Sequence, residues 1–457
     1  MDTTNLAAER QLILDSGLFN PEWYLATYPD VAMAGMDPAE HFLKYGALLL
    51  RDPSPNFSTG FFIDTRPGVQ KENLNPLVYR ARYPKKSMTE KNVLFAAANL
   101  VARGYHEKAI ALAEKHLPPH WLYTIHVLRA NAALDEGDES GWLGHLNAYL
   151  THLGLEPVRL RPSGSILERL STRPLEAVEG GSLVSVIMPA WNAEKTVKAA
   201  AQSVLDQTWR NLELLIVDDA SEDGTWTVLQ ELAKNDPRVR IQRNRVNVGP
   251  YVSKNLALNN AHGDYVTGHD ADDWAHPQRL ANQLEVVLRS QGSIKACLAY
   301  MIRINPEGRF SSISKVGKFT FDGVTRKASI SCLFERRVLQ EQLGYWDSVR
   351  FAADSEMIER TTRVLGEGFQ VVQQISMICL DLENSLTNHP EHGVNKITGI
   401  SPSRAAYRQS WLDWLNARAE GQSAYLAFLQ PERRYDADLA MIVPMHNIEA
   451  NLNGTIP

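Results

Sequence analysis

Four short apolar runs, each followed by a helical pattern, constrain the second half of this 457-residue chain more than any other feature. The runs are SLVSVIMPA, LELLIV, VRIQR and DYVTG, and they lie between residues 182 and 268. The first three are rich in β-branched and other large apolar residues, which favours strands, while the intervening stretches carry apolar residues at helical spacing. Alternating strands and helices predict an α/β domain with a mostly parallel sheet and helices on both of its faces.

Polar side chains follow each predicted strand, and the carboxyl ends of parallel strands share one edge where ligands bind. Three carboxylates crowd the end of the fourth run, in HDADD: Asp270, Asp272 and Asp273. Like charges repel, and their desolvation is costly. A hard divalent cation would offset that cost, because Mg²⁺ takes one or two protein carboxylates together with substrate phosphates. The alternatives are a solvated acidic loop, or Asp273 as a cap of the next helix.

The N-terminal part of the chain has a different texture. FNPEWYLATYPDV begins at Phe19 and FSTGFFIDTRPGV at Phe57, so residues 1–86 are expected to form two small aromatic units packed on each other. Residues 87–172 are rich in alanine and predict a helical spacer that resembles tetratricopeptide hairpins. A stretch rich in Pro, Gly and Ser then ends at Ser182 and marks a domain boundary.

Composition excludes several classes of protein. The net charge of -6 argues against a nucleic-acid binder, because such a protein carries an excess of basic residues. The three scattered cysteines predict reduced thiols rather than disulfides or a zinc site. Neither a leader peptide nor a membrane-spanning run is recognisable. We therefore expect a cytoplasmic protein with, at most, peripheral contact with the inner face of the plasma membrane.

Four motifs, in order and at the right distances, resemble those of glycosyltransferase family 2. They are VSVIMPAWNAEKTV, LELLIVDDASEDGT, NVGPYVSKNLALNNAHGDYVTGHDADD and ADSE, and they cover about residues 182–388. The resemblance implies a GT-A fold over residues 183–400, preceded by an all-α region. It also implies an inverting transferase that uses a nucleotide-sugar donor, a DxD motif and a divalent metal, Mn²⁺ or Mg²⁺.

The resemblance assigns roles to individual residues. Asp219 corresponds to the aspartate that reads the base, typically uracil. Asp270 and Asp272 form the DxD pair, with Asp272 as the direct metal ligand and Asp270 on the ribose, a metal-bound water or the metal itself. His389 is a candidate third metal ligand, the alternative being a solvated loop residue. The full set implied for nucleotide binding is Pro189, Ala190, Asn192, Glu194, Asp219, Lys254 and Asp270.

The general base implied by the resemblance is Asp354, at the position of the family's acceptor-side aspartate. Ala353 stands where the family usually has Glu, and Glu356 is the alternative base. A purely structural alternative is that both acids cap the helix that follows. Lys254 stands where many members have Arg, which keeps the charge but loses the bidentate fork, so its role at the phosphates stays open.

The C-terminal region shows a further resemblance. Residues 401–438 predict a Trp-rich helical segment, and LAMIVPMHNIEANL, from Leu439, repeats the pattern of VSVIMPAWNAEKTV. Residues 439–457 are therefore expected to begin a truncated second transferase domain, and to be weakly anchored if the rest of that domain is missing. The alternative is an edge strand that repeats the pattern by chance.

The N-terminal aromatic repeat resembles segments found ahead of transferases in bacterial surface-polysaccharide synthesis. This resemblance implies a nucleotide-sugar transferase of capsule, exopolysaccharide or lipopolysaccharide synthesis. Its acceptor would be a saccharide or a lipid-linked saccharide, and its N-terminal helices would contact other polysaccharide-assembly proteins. No QxxRW motif is present, which is typical of enzymes that add one or a few sugars. The alternatives are a catalytically degenerate scaffold that positions an acceptor for a second domain, and an interaction protein whose helical repeats carry the function.

Overall fold

The chain divides into two units, and its later half contributes to both. Unit 1 contains Met1–His145 and Ile313–Val324, and unit 2 contains Leu146–Ser312 and Thr325–Pro457. The computed structural model describes residues 3–55, 57–65, 69, 74–83, 90–382, 385–386, 388, 393–395, 399–418, 422–430 and 432–452. A short segment of the later sequence thus completes the unit built by the N-terminal helices.

Short helices build unit 1, and several begin with proline, whose fixed φ suits the first helical turn. They are α1 Thr3–Asp15, α2 Pro21–Thr27, α3 Pro29–Met33, α4 Pro38–His41, α5 Thr59–Thr65, α6 Pro76–Arg82, α7 Glu90–Val101, α8 His106–His116 and α9 Ile125–Asp135. Helix α10, Glu139–His152, begins in unit 1 and ends in unit 2. The expected helical N-terminal region is confirmed for the described residues up to His152, but residues 158–160 and 170–172, which were predicted as part of the helical spacer, form paired strands.

The two copies of the aromatic repeat bury matching residues. Tyr24 and Phe62 are 0% and 5% exposed, and Val31 and Val69 are 1% and 3% exposed. All four belong to one hydrophobic cluster. The two copies therefore share a single small core, in which each supplies an aromatic ring and a β-branched residue.

The segment Ile313–Val324 joins unit 1 through hydrogen bonds to the 3₁₀ turn that precedes α9. Trp121 Nε1 donates to the Phe321 carbonyl at 3.1 Å, and the Tyr123 hydroxyl donates to Asp322 Oδ2 at 3.1 Å. Burial raises the pKa of Tyr123, which keeps its hydroxyl a donor at neutral pH. These bonds satisfy polar groups that would otherwise be buried unpaired.

A nine-stranded sheet forms the centre of unit 2, with the order β5-β4-β3-β6-β10-β8-β11-β7 and β9 paired to β8. Its strands are β3 Val184–Ala190, β4 Leu212–Asp218, β5 Val239–Arg243, β6 Tyr265–Gly268, β7 Asp273–Ala275, β8 Ala296–Ile304, β9 Arg326–Lys327, β10 Leu333–Glu335 and β11 Phe369–Leu380. The pair β1 Val158–Leu160 and β2 Leu170–Thr172 forms a separate small sheet. A third, also separate, joins β12 Val394–Asn395 to β13 Gly399–Ile400.

The four strands predicted from the sequence, β3 to β6, are mutually parallel. Strand β10 enters antiparallel between β6 and β8, and β11 runs parallel to β8. The α/β prediction with parallel strands at its centre is therefore confirmed. The antiparallel members are β7, β9 and β10, which lie outside the strand–helix alternation predicted from the sequence.

Helices cover both faces of this sheet, which is why its strands read as nearly continuous apolar runs. The helices of unit 2 are α11 Ile166–Arg169, α12 Val197–Leu205, α13 Thr225–Asn235, α14 Gly249–Asn259, α15 Arg279–Arg289, α16 Arg336–Val338, α17 Ala353–Leu365, α18 Pro402–Asn416 and α19 Met445–Leu452. Along β3, Val186 and Met188 join one core cluster while Ile187 joins the other. Successive side chains of a strand point to opposite faces, so one strand supplies both cores.

The C-terminal residues pack on unit 2. Tyr407 and Trp411 of α18 are buried in the same core cluster as Met441. Ile442 forms a single bridge with Val349, and the chain then continues as the helix α19. Residues 441–452 are thus anchored in unit 2. That the segment from Leu439 begins a second transferase stays a prediction.

No helix in the described ranges is long and apolar enough to cross a membrane.

A cap at the start of α6 gives a first test. Asn75 Oδ1 accepts from the Leu77 and Val78 amides at 3.0 and 3.3 Å. We expect Asn75→Ala to lower the free energy of unfolding by about 1 kcal/mol, because those amides lose their acceptor. Urea unfolding followed by circular dichroism measures the change. Gln230→Ala, at an exposed position in the middle of α13, serves as the control, and an equal effect of both variants would contradict the cap.

Candidate active site

Three neighbouring strands end at one edge of the sheet. Ala190 ends β3, and its register partner Asp218 ends β4. Gly268 ends β6 beside the same strand β3. The acidic sequence after Gly268 therefore lies at the carboxyl edge, where the sequence predicted a ligand.

Asp270 and Asp272 are partly buried at this edge. Within the described residues, neither carboxylate accepts a hydrogen bond from another residue. Burial raises the pKa of Asp270, and the Lys254 ammonium opposes that rise. Burial and the negative charge of Asp270 raise the pKa of Asp272 to about 6. Two poorly solvated carboxylates without donors form a site that a cation would stabilise.

Asp273 has a different role from its two neighbours. It is 5% exposed, lies in β7, and its Oδ1 accepts from the Leu380 amide of β11 at 3.1 Å. The next helix, α15, begins six residues later with Gln278 at its N-cap position. The alternative that Asp273 caps this helix is therefore wrong, because the side chain is used to join two strands.

His269 lies beside the pair without being available as a ligand. Its Nδ1 accepts from Arg279 Nη1 at 3.1 Å, and its Nε2 donates to the Asp273 carbonyl at 3.2 Å. Burial and the Arg279 charge lower its pKa well below the usual value, so the ring is neutral. Both ring nitrogens are occupied, and His269 orients the loop of the acidic pair.

Asp219 holds a loop in this structure. Its Oδ1 accepts from the Val248 amide at 2.9 Å and from Asn244 Nδ2 at 2.8 Å, while Oδ2 accepts from the Gly249 amide at 2.6 Å. The side chain is 2% exposed, and burial raises its pKa. These bonds fix the start of α14. A contact between Asp219 and a nucleotide base stays a prediction.

Asp218 accepts from the Ser221 amide at 3.2 Å and forms a 3.0 Å ion pair with Arg243. Asn192 and Glu194 link two loops of the same edge. Asn192 Oδ1 accepts from the Glu222 amide at 2.9 Å, and Glu194 Oε2 accepts from the Gly224 amide at 3.2 Å.

Pro189 and Ala190 end β3 directly before these loops, with Ala190 buried and Pro189 partly buried. The structure thus brings Pro189, Ala190, Asn192 and Glu194 to one edge. Nucleotide contact by these four residues is untested.

Asp354, the expected base, lies in the first turn of α17. Lys254 Nζ is 3.2 Å from its Oδ1, and the Tyr251 hydroxyl is 3.2 Å from its Oδ2. Its side chain is 26% exposed, so part of the carboxylate faces outward. The negative charge of Asp354 also raises the pKa of Asp270, so the expected base and the acidic pair influence each other electrostatically.

Glu356, the alternative base, is turned into the core. It is 0% exposed, and its two oxygens accept from Arg360 Nε and Nη2 at 2.8 Å each. In this arrangement the carboxylate has no path to an acceptor hydroxyl. The residue at the N-cap of α17, Ala352, has no side-chain cap bond, so neither acid caps this helix.

Asp270 and Asp272 are the candidate ligands for a divalent cation. Over the described ranges, no group of three or more His, Cys, Asp or Glu side chains is arranged to hold a metal ion. Asp270 and Asp272 still fit Mg²⁺ or Mn²⁺, because Mg²⁺ keeps several waters and needs only one or two carboxylates. His389, the candidate third ligand, lies outside the described residues.

Several residues of the site were missed by sequence reasoning. Tyr251 binds the expected base, and Arg303 is a cation that acts on all three aspartates of the acidic loop. Trp191 exposes 59% of its surface directly after β3. Tyr251 could have been found from its helical spacing to Lys254, three residues away. Arg303 follows from nothing local, since it lies on a later strand.

Residues 185–329 match the family described as Glycosyl transferase family 2. These residues are a family 2 glycosyltransferase domain. The resemblance seen in the motifs is confirmed, while Asp354 lies beyond the matched segment.

Two relatives and one solved structure illustrate the likeness. The UDP-Glc:alpha-D-GlcNAc-diphosphoundecaprenol beta-1,3-glucosyltransferase WfgD of Escherichia coli is 34% identical over 152 residues, which are 33% of this chain and 58% of that protein. Glycosyltransferase GlyA of Streptococcus pneumoniae serotype 4 is 30% identical over 257 residues, or 54% of this chain and 34% of that protein. The structure of S. aureus TarS 1-349 in complex with UDP-GlcNAc covers 44% of this chain and 59% of that one, at 20% identity and a TM-score of 0.36.

The chain spans 34% to 60% of the length of the first curated relatives it matches. The similarity therefore concerns the transferase domain and does not extend over the whole length of these relatives.

The raised pKa of Asp272 predicts a stability cost in the transferase domain. At pH 8 the carboxylate is charged and poorly solvated, so Asp272→Asn should raise the free energy of unfolding by roughly 1–3 kcal/mol in metal-free buffer. The gain should shrink as the pH falls through the folded pKa of about 6, and vanish near pH 4, where the folded protein is already protonated at this site.

Thermal unfolding of both proteins between pH 4 and pH 8 measures this difference. Asp206→Asn, on an exposed residue at the end of α12, is the control and should give no such dependence. A gain that stays constant with pH would contradict the raised pKa.

Proposed function

We propose that this protein is a metal-dependent inverting glycosyltransferase. It moves a sugar from a nucleoside-diphosphate donor, a UDP-sugar, to a saccharide acceptor in the synthesis of a bacterial surface polysaccharide. One observation carries the proposal. The family 2 domain holds two poorly solvated carboxylates, Asp270 and Asp272, and the partly exposed carboxylate of Asp354, which lies beyond the matched segment, acts electrostatically on Asp270.

The two sets of carboxylates suit the two halves of the reaction. Asp272, with Asp270, would hold the cation against the donor diphosphate. When bound, a divalent cation acts as a Lewis acid and stabilises the charge of the departing diphosphate. Asp354 would accept the proton of the acceptor hydroxyl as its oxygen bonds to the anomeric carbon and the bond to the diphosphate breaks. A single displacement of this kind inverts the anomeric centre.

The placement of Ala353 weakens the alternative of a degenerate scaffold. The missing Glu at this position suggested lost activity, but Ala353 is 0% exposed and packs in the core. A Glu side chain there would point into apolar surroundings in this arrangement. Its absence therefore removes nothing from the outward-facing site, and Asp354 keeps its two polar partners.

The donor and acceptor classes rest on the relatives and on the motif resemblance. The name of the WfgD relative specifies UDP-glucose and a diphosphoundecaprenol-linked acceptor. For this chain we infer a UDP-sugar and a saccharide or lipid-linked saccharide acceptor. The reaction would take place in the cytoplasm, with at most peripheral contact with the inner face of the plasma membrane. Unit 1 would contact other proteins of polysaccharide assembly.

Nucleotide binding is the first test of the proposal. Calorimetric titration of UDP should give binding that requires Mn²⁺ in the wild type and is lost in Asp272→Ala, because one cation ligand is removed. Asp206→Ala should bind as the wild type does. Binding of UDP that is equal with and without Mn²⁺, or unaffected by Asp272→Ala, would contradict a metal held by this pair.

Turnover tests the base. Asp354→Asn should lower kcat by about 10²–10⁴-fold with a UDP-sugar and a saccharide acceptor, because Asn cannot accept the proton, while UDP still binds. Glu359→Gln, on an acid of the same helix that pairs with Arg363, is the matched control and should keep its activity. Unchanged turnover in Asp354→Asn would move the base to another residue.

A further inference from the structure

We propose that Lys254 and Tyr251 are positioning residues that hold Asp354, and that Lys254 does not bind the donor diphosphate. This inference rests on the proposed role of Asp354 as the base. It assigns Lys254 to the acceptor side of the reaction, whereas the motif resemblance placed it among the nucleotide contacts.

The surroundings of Lys254 leave its ammonium little access to a ligand. The side chain is 2% exposed. Its Nζ lies 3.2 and 3.5 Å from the two oxygens of Asp354. It also lies 4.8 Å from the Tyr251 ring centroid and 5.9 Å from that of Trp346. The carboxylate of Asp354 already neutralises this ammonium, and the two rings enclose it. Cation–π contacts and charge-assisted hydrogen bonds are stronger where water is excluded than on an exposed surface.

Tyr251 supplies the second bond to the base. Its hydroxyl donates to Asp354 Oδ2 at 3.2 Å, and burial keeps its pKa well above the usual value, so it remains a neutral donor. Tyr251 and Lys254 lie three residues apart on α14, so both side chains point from one face of that helix. One helix therefore presents two donors to one carboxylate.

Lys254 and Tyr251 orient the Asp354 carboxylate, and no capping bond of α17 contributes to that orientation. Ala352, two residues before Asp354, occupies the N-cap position with φ 75°, and no side chain caps α17. Without Lys254 and Tyr251 the carboxylate could rotate about its two side-chain bonds. A base must lie within hydrogen-bond reach of the hydroxyl it deprotonates, and misplacement by about 1 Å can cost 10²-fold in rate.

Two substitutions separate positioning from phosphate binding. Lys254→Met keeps most of the side-chain volume and removes the charge, and Tyr251→Phe removes only the hydroxyl. We expect kcat to fall about 100-fold and about tenfold, respectively, because Asp354 loses orientation. The Kd of UDP in the presence of Mn²⁺ should stay within about twofold of the wild-type value, because no diphosphate contact is lost.

Tyr345→Phe is the matched control for Tyr251→Phe. It removes another tyrosine hydroxyl that bonds α14, at Asn259, at the end of the helix away from Asp354. This control should keep kcat. A Kd for UDP that rises tenfold or more in Lys254→Met would overturn the inference and return Lys254 to the diphosphate.

A double-mutant cycle tests the pair without any turnover. The melting temperatures of Lys254→Met, Asp354→Asn and the double variant should show that the double variant loses less than the sum of the two single losses. Additive losses would overturn the inference. If the wild type transfers no sugar from any UDP-sugar tested, the proposed function fails, and the cycle still decides whether Lys254 holds Asp354.

Discussion

Crowded, poorly solvated negative charge at the carboxyl edge of the sheet is the constraint on which unit 2 depends. Burial raises the pKa of each aspartate in the loop after β6, which means that each charge is held at a cost. Three cations, brought from different elements, oppose that cost: Lys254 from α14, Arg279 from α15 and Arg303 from β8. Arg279 is itself 2% exposed and bonds Thr267, the Gly268 carbonyl and His269. The acidic site therefore requires β8 and the helices α14 and α15 to be in place.

The helix that carries Asp354 depends on residues well beyond the matched family segment. Arg360 and Glu356 form a buried pair within α17, and Asp347 accepts from the Tyr407 hydroxyl of α18 at 2.9 Å. Arg433 pairs with the same Asp347 oxygen at 2.5 Å. Buried charges are tolerated when they are paired and hydrogen-bonded. Helix α18, through Tyr407, and Arg433 thus belong to the core that positions the site.

Acidic residues of one edge are divided between two tasks. The carboxylates of Asp218, Asp219 and Asp273 accept hydrogen bonds from backbone amides, and Asp218 also pairs with an arginine. These three side chains fix loops and strand ends. Asp270 and Asp272 accept no bond from another residue in the described part of the chain, and Asp354 is held by two donors while remaining partly exposed. The residue type is the same in both groups. What differs is the set of donors nearby, and this difference separates structural carboxylates from candidate functional ones.

The sequence by itself determined the strand–helix alternation, the parallel centre of the sheet and the position of the DxD pair at its edge. These follow from local periodicity and from the rule that parallel strands end together. It also located Asp354 through a motif. Only the tertiary structure decided that Glu356 faces Arg360 in the core, that Asp273 joins β7 to β11, and that Lys254 meets Asp354 a hundred positions away. Local patterns specify which face of an element is apolar, but the partner of a polar side chain is set by long-range packing, where its burial and its donors are decided together.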